Sequence, residues 1–119
     1  LAAGVLEATI EAMPGPPREL MAWLGPAIGP TRFEVGADVR AAFVDHHSDD
    51  HAAFREARRP GKFVADIYAL ARARLRRAGV TQVTGGEHCT ISDRCFFSHR
   101  RDKGQTGRMA TLVWQAERS

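Results

Sequence analysis

The residues with the clearest chemistry lie near the end of the chain, where five cations fall within the fifteen residues from Arg94 to Arg108. A guanidinium group binds phosphate or carboxylate through two hydrogen bonds, and glycines let backbone N–H groups approach a ligand closely. This composition is typical of an oxyanion site. The residues predicted to bind phosphate or substrate are Arg100, Arg101, Thr106, Gly107 and Arg108.

The same arginines also have a structural interpretation. Guanidinium groups that lie close together repel one another unless an anion or a carboxylate neutralises them. Asp93 and Asp102 are near enough along the chain to form ion pairs with them. Ligand binding is the favoured interpretation, in which Thr106 would add a hydroxyl donor and Gly107 a close backbone approach. The sequence alone does not identify a catalytic residue.

Two short strands are expected to hold the ends of this segment. Phe96 and Phe97 are predicted as one strand and residues 110–114 as the other, because both are apolar runs beside turn-forming residues. Earlier in the chain, the same signals predict strands over residues 20–24 and near 81–84.

Helices are predicted wherever apolar side chains recur at helical spacing, which happens over residues 1–13, 37–44 and 63–78. The first of these helices has no capping side chain before it, and the last ends at Gly79, a residue typical of a helix C-terminus. A short helix capped by Ser48 or Asp49 and anchored by Phe54 is expected after the polar stretch 45–51. Helices that alternate with short strands predict a mixed α/β fold.

Three other groups of residues have a functional and a structural interpretation, and the structural one is favoured for each. The histidines and aspartates of residues 45–51 offer metal ligands, but they match no standard spacing and suit a solvated loop. Cys89 is a possible nucleophile with His88 or His99 as its base, but a partly buried structural cysteine is more common. A basic helix face that suggests nucleic-acid binding lacks interleaved aromatic residues, so a solvated face is expected for Arg72, Arg74, Arg76 and Arg77.

Composition limits the remaining possibilities. The chain has 119 residues, of which 44% are hydrophobic and 26% charged, enough for one core but not for two domains. Apolar runs are too short to span a membrane, and two cysteines six positions apart suit a reducing cytoplasm. A net charge of +3 allows anionic ligands without requiring nucleic acid.

Three motifs lie along the chain in a family-specific order. They are Gly25-Pro26-Ala27-Ile28-Gly29-Pro30 with Phe33-Glu34-Val35-Gly36, the long helix leading to Cys89-Thr90, and Phe96-Phe97-Ser98-His99-Arg100-Arg101-Asp102-Lys103 with Thr106-Gly107-Arg108-Met109-Ala110-Thr111. In these motifs the chain resembles the laccase-domain family. These YfiH-like proteins were once called multicopper polyphenol oxidases and are now regarded as zinc-dependent purine nucleoside phosphorylases. His99 departs from the family pattern, which usually has tyrosine there.

The resemblance implies an α/β domain of mixed sheets between helix layers, of which residues 1–119 would be the C-terminal half. It also implies that two histidines and a cysteine upstream of Leu1 bind zinc, so that the ligands are absent from this chain. A half domain exposes a core face, and the isolated chain is therefore expected to be unstable, to associate with itself, or to need the missing N-terminal half.

The activity that the resemblance implies is phosphorolysis of adenosine and related purine nucleosides, with deamination of adenosine as a second activity. Arg100, Arg101 and Arg108 would then hold phosphate or substrate, with Thr106 in support. Two alternatives stay open, a small basic module that binds phosphate or nucleic acid without catalysis, and an inert remnant. An upstream metal triad would favour the enzyme, whereas salt-sensitive binding to oligonucleotides would favour the module.

Overall fold

Two small sheets and three α-helices organise residues 1–113, which are the part of the chain that the computed structural model describes. The helices are α1 (Val5–Ala12), α2 (Ala37–Val44) and α3 (Ile67–Arg77). The strands are β1 (Met21–Leu24), β2 (Glu34–Gly36), β3 (Phe54–Glu56), β4 (Lys62–Ala65) and β5 (Gln82–Gly85). Short 3-10 turns lie at Pro17–Glu19 and Ser48–Ala53. The predicted mixed α/β fold is confirmed, and α2 has the predicted bounds.

The two sheets differ in the direction of their strands. β1 and β5 pair in parallel, with Met21 opposite Gln82 and Leu24 opposite Gly85. β4 is the centre of an antiparallel sheet with the order β2-β4-β3. Parallel partners need a long crossover connection, and here the whole antiparallel unit and α3 lie between β1 and β5.

The main core lies where the antiparallel sheet meets α2 and α3. It contains Val35, Phe43, Phe54, Ala65 and Leu70, all of them buried. The rings of Phe43 and Phe54 pack with their centroids 6.0 Å apart and their planes tilted by 47°. Each large apolar side chain buried in this way contributes about 1.5–3 kcal/mol to folding. In residues 1–113, no helix is long and apolar enough to cross a membrane.

The predicted helix over residues 63–78 is wrong in its first turn. Lys62–Ala65 forms β4, and α3 begins only after Asp66, whose carboxylate accepts a hydrogen bond from the Ala69 N–H at 3.0 Å. Asp66 is a good N-cap, and this signal lay inside the predicted helix. Val64 fitted the helical spacing, but Phe63 and Val64 pair with residues of β2 and β3 in the antiparallel sheet instead.

Two smaller predictions also need correction. The first helix begins at Val5 and not at Leu1, because Gly4 takes a left-handed conformation with φ of 88°. Ser48 and Asp49 do not cap a helix, since the 3-10 turn that starts at Ser48 has no side-chain cap. Phe54 is the expected buried anchor, although it lies in β3.

The arginine segment is the cation-rich stretch of residues 94–108. The strands predicted to hold its ends are absent from the described residues. Phe96 and Phe97 lie in turn and irregular structure, and the Phe96 carbonyl accepts a hydrogen bond from Arg101 Nη2 at 2.9 Å. Residues 110–113 are exposed and form no strand, and Trp114 lies outside the described residues. The Phe96 carbonyl, which would bond to a neighbouring strand in a sheet, bonds to the Arg101 side chain instead.

Candidate functional site

The loops that follow β1 and β5 meet at the carboxyl ends of the parallel strands. The Gly86 N–H donates to the Leu24 carbonyl and the Thr90 N–H to the Ala27 carbonyl, both at 2.9 Å. A parallel bridge also joins Ala27 to Cys89. The pairing of β1 with β5 therefore continues into the loops. It fixes Cys89 and Thr90, which come before the predicted ligand-binding residues in the chain.

Tyr68 connects these two loops to α3. Its ring is buried, and its hydroxyl accepts a hydrogen bond from the Ala27 N–H at 2.8 Å and donates one to the His88 carbonyl at 2.6 Å. The sequence predicts a helix around Tyr68 but no particular role for this side chain. The available signal was a lone tyrosine on an otherwise apolar helix face, since a buried tyrosine hydroxyl requires a partner.

Arg101 contacts the chain through all three guanidinium nitrogens. Nε and Nη2 donate to the two carboxylate oxygens of Asp102 at 3.0 and 3.1 Å. Nη1 lies 3.0 Å from the Thr90 carbonyl oxygen, and Nη2 lies 2.9 Å from that of Phe96. The ion pair predicted by the structural interpretation is thus present between Arg101 and Asp102.

This ion pair changes the titration of both partners. The hydrogen bond from Arg101 and its positive charge lower the pKa of the Asp102 carboxyl, and Asp102 raises the pKa of Arg101. The Thr106 hydroxyl oxygen is buried and has no hydrogen-bond partner within residues 1–113.

Arg100 points to a different part of the molecule from Arg101. Its Nη1 donates to the Glu34 carbonyl at 2.8 Å, and its guanidinium carbon lies 4.9 Å from the centroid of the Phe33 ring. Such a cation–π contact orients the guanidinium group and still leaves the side chain exposed. The motif beginning at Phe33 thus reaches the arginine segment from the other side.

A cleft of about 450 Å³ opens beside Arg100. Its walls combine apolar and aromatic surface with the polar side chains of the arginine segment. The residues that line it are Pro26, Ala27, Ile28, Phe33, Ile67, Thr90, Phe97, Ser98, His99, Arg100 and Met109. A concave apolar surface with a few polar groups is the usual form of a small-molecule site.

The other predicted ligand-binding residues do not line this cleft, although Gly107 packs against one of its rings. A Cβ atom added to Gly107 would lie 2.8 Å from the Phe97 ring, so the glycine backbone packs directly on a cleft-lining ring. Arg108 is exposed, and the next residue along the chain, Met109, lines the cleft. The structure therefore places Arg100 in the lining of the cleft and Gly107 against the ring of Phe97, whereas Arg101 faces residues 90–96.

Cys89 is half-buried. Burial raises the pKa of its thiol, but hydrogen bonds from Ser92 and from backbone groups near Gly29 and Ile91 outweigh this and lower the pKa to about 7. The contact with Gly29 is close, since a Cβ at that position would lie 2.8 Å from the Cys89 Cβ. This lowered pKa favours the Cys89 thiolate at neutral pH relative to an ordinary cysteine.

The prediction of a solvated face for the α3 arginines is wrong for Arg74. This side chain is buried, with Nη1 3.3 Å from a Glu7 carboxylate oxygen and its guanidinium carbon 5.2 Å from the Phe43 ring centroid. Arg77 pairs with the buried Asp50 at 2.6 Å. These arginines link helices and loops within the fold.

The residues that the structure describes do not form a zinc site. Within the described range, no three side chains of histidine, cysteine, aspartate or glutamate come together as a ligand set would require. His46 and His47 instead line a separate cleft of about 390 Å³ together with Glu7, Arg74 and Arg77.

Comparisons with known proteins agree on one family. A family model described as multi-copper polyphenol oxidoreductase laccase matches residues 1–116. Purine nucleoside phosphorylase PA4543 of Pseudomonas aeruginosa is 56% identical over 96% of this chain, and purine nucleoside phosphorylase YfiH of Escherichia coli K12 is 50% identical over the same share. The matches cover 47% and 46% of those proteins, so the chain spans about half the length of these curated relatives.

Solved structures show the same relationship. Neisseria meningitidis protein NMB0706 matches 89% of this chain with a TM-score of 0.84 and 55% identity, and the match covers 43% of that protein. YlmD from Geobacillus stearothermophilus matches 89% of this chain with a TM-score of 0.77 and 30% identity, over 42% of its own length. By sequence and by fold, this chain belongs to the multi-copper polyphenol oxidoreductase laccase family, whose YfiH-type members include proteins named purine nucleoside phosphorylase.

Proposed function

We propose that the chain is the C-terminal part of a purine nucleoside phosphorylase domain and that its arginine segment binds phosphate and nucleoside. One observation carries the proposal, the cleft in which Arg100 lies beside the aromatic rings of Phe33 and Phe97. A nucleoside offers a flat base for apolar contact, and phosphate requires cationic donors next to it. The names of the bacterial relatives point to the same substrates.

In this reaction, a phosphate oxygen forms a bond to C1′ of the ribose while the bond from C1′ to the purine breaks, and the departing purine takes up a proton. Arg100 and Arg108 hold the phosphate, and the Thr106 hydroxyl and Gly107 backbone support it. Holding an anionic nucleophile beside the sugar lowers the entropic cost of the reaction. The Arg100 donors that do not contact Glu34 serve this purpose.

The upstream half of the domain supplies what residues 1–113 lack. The proposal places the zinc ligands there, where zinc would act as a Lewis acid or activate water for deamination of adenosine. The catalytic domain then comprises both halves, and the chain alone is inactive. Its free thiols suit the reducing cytoplasm, where we place the protein.

The test is phosphate-dependent release of adenine from adenosine by the complete natural chain that contains these residues. Arg100→Ala and Arg108→Ala should each raise the KM for phosphate by roughly 10- to 100-fold, because each loses charged hydrogen bonds worth about 1.5–3 kcal/mol. Arg94→Ala, which changes an exposed arginine of the same segment, is the matched control and should leave the KM unchanged. Salt-sensitive oligonucleotide binding without phosphorolysis would favour the non-catalytic module instead.

The exposed face of the parallel sheet is the proposed contact with the missing half, or with a second copy when that half is absent. Met21 is 77% exposed and Trp23 is 51% exposed on this face, although parallel sheets are usually covered on both sides. The isolated 119-residue chain should therefore associate or melt without cooperativity. Sedimentation and thermal denaturation test this, and a cooperative melt of a monomer would contradict it.

A further inference from the structure

Arg101 uses its hydrogen-bonding capacity within the chain. Nε donates to Asp102, and Nη2 donates to Asp102 and to the Phe96 carbonyl. Nη1 lies 3.0, 3.4 and 3.3 Å from the carbonyl oxygens of Thr90, Ile91 and Asp93, respectively. A guanidinium group has five N–H donors, and these six contacts occupy all three nitrogens that carry them.

The charge of Arg101 is also neutralised by its neighbour. The two contacts to the Asp102 carboxylate form the two-point geometry that a phosphate would otherwise take. An anion at Arg101 would have to displace the Asp102 carboxylate, which is ionised at neutral pH as any ordinary aspartate is. Arg101 is therefore a poor phosphate ligand, in spite of its position next to Arg100.

The acceptors of Arg101 belong to a stretch that has no strand or helix. Residues 90–96 follow the last strand, and Arg101 binds four of their carbonyl groups. The turn after this stretch is fixed as well, because the Arg101 N–H donates to Ser98 Oγ at 3.2 Å and the Asp102 N–H to the Ser98 carbonyl at 3.0 Å. One side chain thus connects both sides of the turn that bears Arg100.

We propose that Arg101 is a positioning residue that holds the turn from Ser98 to Asp102, so that Arg100 points into the cleft. The proposal rests on the proposed function, since it assigns Arg100 to the ligand and Arg101 to the chain. Lysine cannot replace Arg101, because a single ammonium group does not reach Asp102 and the Thr90 and Phe96 carbonyls together.

The experiment compares Arg101→Lys, Arg101→Ala and Arg100→Ala in the complete natural chain, with Arg94→Ala as the control. Both Arg101 variants should speed amide hydrogen exchange in residues 93–105 by at least tenfold and lower kcat, and the KM for adenosine and for phosphate should rise together. Arg100→Ala should raise the KM for phosphate and leave exchange unchanged. Guanidinium ion should partly restore kcat to Arg101→Ala and should have no effect on Arg101→Lys, whose ammonium group fills the space.

Two results would overturn the positioning role. One is normal exchange in both Arg101 variants; the other is an Arg101→Lys enzyme with normal kcat and only a raised KM for phosphate, which is the behaviour of a direct phosphate ligand. If Arg101→Ala does not fold, Asp102→Asn decides the question, because it keeps the size of the side chain and removes its ion pair with Arg101. The proposal expects faster exchange in residues 93–105 of this variant as well, and normal exchange would again contradict it.

Failure of the proposed function would look different. The wild-type chain would then release no adenine in the presence of phosphate, while the exchange measurements would still report whether Arg101 holds residues 93–105. Activity and exchange therefore test the two proposals separately.

Discussion

The antiparallel core and the C-terminal segment are stabilised in different ways. The C-terminal segment comprises residues 86–113 and includes the arginine segment. Phe43, Phe54 and Leu70 are buried together between a sheet and two helices, where apolar contact supplies most of the stability. The segment after β5 has no strand or helix in residues 86–113 and depends on hydrogen bonds from the Tyr68 hydroxyl and the Arg101 guanidinium. Irregular segments fixed by a few polar contacts are where ligand-binding residues commonly lie.

Backbone hydrogen bonding differs between the two regions. Backbone groups in the core are paired in strands, whereas those of residues 90–96 accept hydrogen bonds from a side chain. A small number of substitutions should therefore disturb the segment and leave the core folded.

The largest effect is expected for Leu70→Ala in the core. Leu70 is 2% exposed, and its truncation should lower the free energy of unfolding of the complete natural chain by about 2–5 kcal/mol. Ile91→Ala is the matched change in the segment, where the side chain is 9% exposed and lies outside the main core cluster. Its effect in urea denaturation should be clearly smaller, and an equal effect would contradict the comparison.

Tyr68→Phe should affect the boundary between the two regions. It leaves the Ala27 N–H and the His88 carbonyl without their partner and should lower the free energy of unfolding by about 1–3 kcal/mol. Thr9→Ala removes an exposed hydroxyl that bonds only within its own helix, and should change the free energy by less than about 0.5 kcal/mol. Equal effects of the two changes in urea denaturation would show that Tyr68 does not join the regions.

The pH dependence of thiol alkylation separates two cysteines of the segment. In a Cys95→Ser background, the rate for Cys89 should rise with pH around a midpoint near 7, because the lowered pKa places thiolate formation below the ordinary value of 9.0. Ser92→Ala should move this midpoint upward, since the Ser92 hydroxyl stabilises the thiolate. Cys95 in a Cys89→Ser background is the control, and its midpoint should lie above the ordinary value because Asp93 raises its pKa. Identical profiles would contradict the assignment.

The smallest effect is expected for the ion pair between Arg59 and Glu34. Arg59 is 72% exposed, and pairs of this kind contribute at most about 1 kcal/mol. Arg59→Ala should therefore lower the free energy of unfolding by less than that amount, with the difference shrinking further in high salt. A loss of several kcal/mol would contradict this expectation, and if that loss shrank in high salt it would show that an exposed charge pair stabilises the fold as much as a core residue does.

Local patterns predicted several elements correctly and failed where two patterns competed. α2 and the strands β1 and β5 follow from apolar spacing and turn residues. β4 was missed because Phe63 and Val64 also fit a helix, and because the pairing partners that decide for a strand lie in β2 and β3. For the candidate site, the sequence located the arginine segment, but it did not distinguish the environments of Arg100 and Arg101.

The sequence by itself determined the family, the mixed α/β class and the position of the cation-rich segment, because these depend on residue types and on spacing along the chain. Only the tertiary structure decided which arginines face a cleft and which are part of the fold. Arg74 is buried through a contact with Glu7, 67 positions away, and Arg100 is oriented by Glu34, 66 positions away. A guanidinium group takes its role from the acceptors around it, and folding brings those acceptors from distant parts of the chain.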